Sequence, residues 1–233
     1  MTPANPMRTP RHGRRRFVAA GAALLLAAPL ARADDAAEAR AIVEKSRITI
    51  ESLVADKNFG NLRGALKKAR GVLIFPQIIK GAFFVGGSGG TGVLLSRDDH
   101  GQWKGPAFYT IGSASIGIAF GGEASETVIV IGSQKALDGL YANQFKLGAD
   151  GSISAGPVGQ GGNVAFTTDL MSFSRSKGAF AGVSFDGSVL DVRDSLNNAY
   201  YKTKASPLDI LVRGKVTAAE AAALRSAVAA AAR

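Results

Sequence analysis

Few side chains in this sequence have the types and spacing that chemistry needs. Gly86-Gly87-Ser88-Gly89-Gly90 has the G-x-S-x-G form of a hydrolase nucleophile turn, in which a strand hands a serine to the start of a helix. Ser88 is instead followed by glycines and a strand-like run to Leu95, and His100, the only histidine after residue 33, lies in a polar turn. Gly87-x-Gly89-x-x-Gly92 has dinucleotide-fingerprint spacing, but that motif seats its pyrophosphate on a following helix, and none is expected after Gly92. Asp98-Asp99 lacks the recurring oxygen donors of a calcium loop. There is no cysteine, which excludes disulfides and thiolate chemistry, and one histidine cannot build a zinc site. No catalytic residue, metal ligand or cofactor is expected; the chain reads as non-enzymatic.

What the sequence does supply is cations at spacings that could hold anions. Arg63, Lys67 and Arg70 are four and three residues apart, so on a helix they share a face, with Lys68 beside it. Such a face is either solvated surface or a foot for anionic headgroups, each cation contributing roughly 1 kcal/mol near a charged membrane. On the second reading, Phe59, Leu62 and Leu66 would supply apolar contact. Arg175 and Lys177 are two apart, so on a strand they project from one face. Either they organise the sheet, with Arg175 paired to a carboxylate, or they hold a headgroup phosphate, for which guanidinium and ammonium groups are suited. These six are the candidate lipid-binding residues.

The elements that must position them begin after an export signal. Arg14-Arg15-Arg16-Phe17 precede an apolar run from Val18 to Leu30, then Ala31-Arg32-Ala33. A charged start, a short apolar stretch and an A-x-A-like site describe a signal peptide over residues 1–33, and the run is shorter than the roughly 20 residues of a spanning helix. The arginine order resembles a twin-arginine signal and also suits general secretion. Residues 34–233 then form one domain, in the periplasm or otherwise outside the cytoplasm. Of 28 basic residues, six lie in the signal (Arg8, Arg11, Arg14, Arg15, Arg16, Arg32), leaving 22 against 18 acids. The resulting +4 is too mild to indicate nucleic acid.

Asp34 to Asp56 has helical apolar spacing, and a short helix is expected over Asn61 to Arg70. Val72 to Pro76 reads as a strand. From Gly81 onward, short strands are punctuated by glycine: Ala82 to Val85, a bend, Val93 to Ser96, the turn Asp98-Asp99-His100-Gly101, Trp103 to Ile111, and Thr127 to Ile131. Ser133 is placed to cap a helix from Gln134. Asp150-Gly151 and Asp186-Gly187 read as hairpin turns, and Lys80-Gly81-Ala82-Phe83 is echoed by Lys177-Gly178-Ala179-Phe180. Pro207 opens a short helix, and Thr217 with Glu220 suggests a capping box for an alanine-rich C-terminal one. The fold class is α+β, with antiparallel glycine-rich sheets flanked by N-terminal, central and C-terminal helices.

Ser172 to Ser188, S-F-S-R-S-K-G-A-F-A-G-V-S-F-D-G-S, alternates bulky with small residues and resembles the signature of the SYLF family. Ala69-Arg70-Gly71-Val72-Leu73-Ile74-Phe75-Pro76, Gly112 to Gly122 and Ala155-Gly156-Pro157-Val158-Gly159 resemble further parts of it, in family order. The resemblance, over roughly 36–201, implies a phospholipid-binding α+β domain without enzymatic role, whose eukaryotic members also regulate actin. For an exported chain it implies an anionic phospholipid or membrane surface as partner, while actin is not carried over. A structural or protein-interaction role, with an envelope protein as partner, is the alternative.

Overall fold

The computed structural model describes residues 21–82, 85–116, 121–157, 159, 164–176 and 185–233. Among these residues eight strands form one sheet: β1 (Gly71–Ala82), β2 (Val85–Arg97), β3 (Trp103–Ile116), β4 (Gly121–Ile131), β5 (Gln144–Lys146), β6 (Ile153–Ala155), β7 (Leu170–Ser176) and β8 (Val189–Val192). Their order is β5-β8-β3-β2-β1-β4-β7-β6, antiparallel except for β6 with β7. The first four strands make the centre, and the later chain supplies both flanks. Asp186-Gly187 therefore does not close a hairpin, because β7 and β8 lie on opposite sides of the sheet. The same holds for Asp150-Gly151 between β5 and β6. The echoed segment 177–180 lies outside the described residues.

Consecutive residues of β1 bury on alternate faces. Val72 and Ile74 join one core with Val93, Val128 and Val130, while Leu73 and Phe75 join a second with Leu94, Ile129 and Ile131. A strand buried on both faces must be apolar at every position, which explains the unbroken Val72–Phe75 run. The helices are α1 (Gly21–Ala55), α2 (Gly60–Lys67), α3 (Gln134–Leu140), α4 (Asp194–Tyr201), α5 (Pro207–Leu211) and α6 (Ala222–Ala231). Residues of α1, α2, α4 and α6 fill the first core and those of α3 and α5 the second. Among the described residues no helix is long and apolar enough to cross a membrane.

The glycine run expected as a bend is instead the first half of β2. The reason lies on β1, where the register slips between Ile74 and Ile79. Four residues there oppose three on β2, a β-bulge around Pro76. Proline cannot donate to a ladder and in a central strand belongs at such a bulge. The bulged backbone leans onto β2. A Cβ at Gly90 would strike the Gln77 carbonyl, and one at Gly92 the Ile74 carbonyl and the Phe75 ring.

Several local signals act as their residues dictate. Asp98 Oδ1 accepts from the backbone of His100 and Gln102 in the β2–β3 turn, with Gly101 at φ 76°. Ser133 caps α3 by accepting from the Ala136 amide at 3.2 Å. Ser206 and Asp209 form a capping box ahead of Pro207. Thr217 and Glu220 do not: α6 begins after a short 3-10 turn (Ala219–Ala221) and has no side-chain cap. A run of alanines needs little help, since alanine has the highest helix propensity.

Candidate functional site

A surface of cations that make no ion pair among the described residues is built where α2 meets the start of β1. Asn61, Leu62, Ala65 and Leu66 are buried, so the 3.6-residue period leaves Arg63 and Lys67 outside, together with Lys68 and Arg70 just beyond the helix. The Arg70 amide donates to the Ile131 carbonyl at 2.8 Å, and the Arg97 amide to the Arg70 carbonyl at 2.7 Å. The ladder thus sets Arg97, the last residue of β2, beside Arg70.

Arg97 is also tied to the helix. Its Nη1 donates to the Lys67 carbonyl at 3.0 Å and its Nε to the Gly101 carbonyl at 3.3 Å, with the guanidinium 6.0 Å from the ring centre of buried Trp103. It therefore binds an orphan carbonyl at the C-terminal end of α2, where cations are favoured. Lys68 Nζ reaches the Val164 carbonyl at 2.9 Å. Among the described residues none of Arg63, Lys67, Lys68, Arg70 and Arg97 makes an ion pair. Five cations gathered without an ion pair can hold a multivalent anion or lie against an anionic surface.

Sequence reasoning placed four of these five together and missed Arg97, because its membership depends on strand register. The apolar contact expected from Phe59, Leu62 and Leu66 is overturned. All three are in the first core, at 2%, 0% and 0% exposure, where they hold α2 to the sheet. The surface is electrostatic, with no apolar wedge of its own.

Arg175 lies elsewhere. It pairs with Glu126 across the β4–β7 ladder, five residues (126 to 131) from the end of β4 that meets Gly71. At ~3.4 Å per residue this is roughly 17 Å along the strand. Its Nη2 donates to Ser52 Oγ at 2.7 Å, its Nε to Glu126 at 3.1 Å, and its Nη1 reaches Asp56 at 3.5 Å. The side chain therefore clamps the end of α1 to the sheet, the arrangement of the sheet-organising reading. A phosphate would have to displace two carboxylates. Lys177 lies outside the described residues.

The clamp makes a prediction. The side chains of Arg175, Glu126 and Asp56 are 29%, 34% and 21% exposed, between surface pairs worth under ~1 kcal/mol and buried ones whose breaking costs ~3–5 kcal/mol. Arg175→Ala should destabilise the domain by about 1–2 kcal/mol in thermal or urea unfolding. Binding of the folded fraction to anionic vesicles should be unchanged; loss of that binding at normal stability would return Arg175 to the site.

Ser88 sits within β2 opposite Ser113, and the two hydroxyls are 2.7 Å apart. The strand continues past Ser88 to Arg97, where a nucleophile elbow or a dinucleotide loop would require the start of a helix.

Comparison with known proteins gives consistent matches. A family model described as Ysc84, Las17-binding protein actin regulator, matches residues 112–231. The SH3 domain-containing YSC84-like protein 1 of Homo sapiens is 32% identical over 151 residues, 63% of this chain and 44% of its own length. The LAS seventeen-binding protein 3 of Saccharomyces cerevisiae is 32% identical over 143 residues, 58% of this chain and 31% of its own. The chain thus spans 31% to 44% of the length of the curated relatives it matches. No solved structure matches.

Proposed function

Because the chain belongs to the Ysc84, or SYLF, family, we propose that it is a non-enzymatic module that binds anionic phospholipid, or another anionic amphiphile of the cell envelope, at a membrane surface. The observation that carries this reading is the gathering of Arg63, Lys67, Lys68, Arg70 and Arg97 at one end of the sheet, none of them in an ion pair among the described residues. Cations so placed gain roughly 1 kcal/mol each near an anionic leaflet, within about a Debye length. Residues 1–33 act as an export signal, which puts the lipid surface on the far side of the cytoplasmic membrane.

The test is co-sedimentation of the protein without residues 1–33 with vesicles of phosphatidylglycerol or of phosphatidylcholine. Binding should favour phosphatidylglycerol at low salt and fall steeply as salt is added. Equal binding to both, or no dependence on salt, would overturn the reading. The family description names actin regulation, so actin filaments are the second partner class. Co-sedimentation with filaments but not with vesicles would favour it.

A further inference from the structure

A second surface has the opposite character. Between α3, α5 and the β2–β3 turn runs a groove of about 630 Å³, within the range of ligand-sized clefts. Its inner wall is Leu137 and Leu211, both buried. At its mouth stand Leu208 and Val212, 36% and 57% exposed, two of the four large apolar side chains exposed among the described residues.

The rim is acidic. Asp98 is met by Lys104 at 3.2 Å, whereas Asp99 and Asp138 have no cation at ion-pair distance among the described residues. Asp138 accepts from the neutral Gln134 amide at 2.8 Å. Arg97 lines the same groove, but its guanidinium is engaged by the Lys67 and Gly101 carbonyls. The mouth therefore combines accessible apolar area with two carboxylates, Asp99 and Asp138, that make no ion pair among the described residues.

We propose that this groove docks a positively charged peptide segment carrying a bulky apolar side chain, which enters between Leu208 and Val212 while its arginines or lysines meet Asp99 and Asp138. Charge complementarity selects this occupant. An anionic membrane is repelled by the rim, and a neutral acyl chain gains nothing from it. A second copy offering its basic α2 surface brings no apolar anchor, since Leu62 and Leu66 are buried there. The groove adjoins the cationic surface through Arg97, but Asp99, Asp138, Leu208 and Val212 take no part in the lipid-binding reading, so the proposal survives that reading's failure.

The test is fluorescence anisotropy with a fluorescein-labelled peptide of alternating leucine and arginine. Wild-type protein should bind it, and replacing the arginines by glutamate or the leucines by serine should weaken binding at least about tenfold, since each removes one half of the recognition. Asp99→Asn with Asp138→Asn should give a similar loss at unchanged melting temperature and unchanged vesicle binding. Leu208→Ser with Val212→Ser should do the same through the apolar half. Peptide binding that ignores both variant pairs, or no binding by wild type, would overturn the proposal. So would a concentration-dependent dimer dispersed by the serine pair, which assigns the groove to a second copy, or loss of vesicle binding in that pair, which assigns it to the membrane.

Discussion

Changing Arg63, Lys67, Lys68 and Arg70 together to glutamine will lower binding to phosphatidylglycerol vesicles by about a hundredfold or more at low salt. Each cation near an anionic surface contributes roughly 1 kcal/mol, and tenfold in affinity is about 1.4 kcal/mol. All four side chains are exposed, and glutamine keeps an amide that can replace the Lys68 contact with the Val164 carbonyl, so the melting temperature should hold. Arg97 stays native in this variant because it fastens the β2–β3 turn to α2. Wild-type protein at high salt should resemble the variant at low salt, since screening and removal of charge act on the same energy. A variant that binds as tightly as wild type would show that these side chains are solvated surface and nothing more.

The largest loss of stability should come from a single methyl group. Gly92→Ala places a Cβ against the Ile74 carbonyl and 2.6 Å from Phe75 Cδ1, in the centre of the sheet where backbone cannot withdraw without breaking the β1 ladder. Overpacking of a core commonly costs ~1–3 kcal/mol and more where rigid atoms collide, so about 3 kcal/mol or more is expected in urea unfolding. Gly89→Ala, three residues away on β2, is the control. Its nearest neighbour would be the Ile111 carbonyl at 3.8 Å, ordinary contact, and its effect should stay within about 0.5 kcal/mol. If the two variants melted together, the glycines would not be answering to the bulge.

Local signals were legible in the sequence and pairings were not. The Asp98–Gly101 turn, the Ser133 cap and the Pro207 start each depend on residues within four of one another. The glycines of β2 could be read as bend or strand because their cause, the bulge at Pro76, belongs to another strand. For the same reason Arg97 could not be joined to the α2 cations, while Arg63, Lys67, Lys68 and Arg70 could be grouped from helical spacing alone. That spacing could not tell whether Leu62 and Leu66 faced lipid or core. The choice between phosphate ligand and clamp for Arg175 turned on Glu126, 49 residues distant in sequence.

The strands that close the sheet, β5 and β6, are only three residues each, whereas β1 to β4 run to eleven residues or more and are rich in glycine, valine and isoleucine. Long strands of that composition, left open, would template edge-to-edge addition of further chains. Among the described residues, this order pairs β1 and β2 on both sides and ends the sheet on stubs, so the central glycine-rich ladders are not an edge. On the proposed lipid-binding reading, copies gathered at a membrane would therefore not join through those two strands.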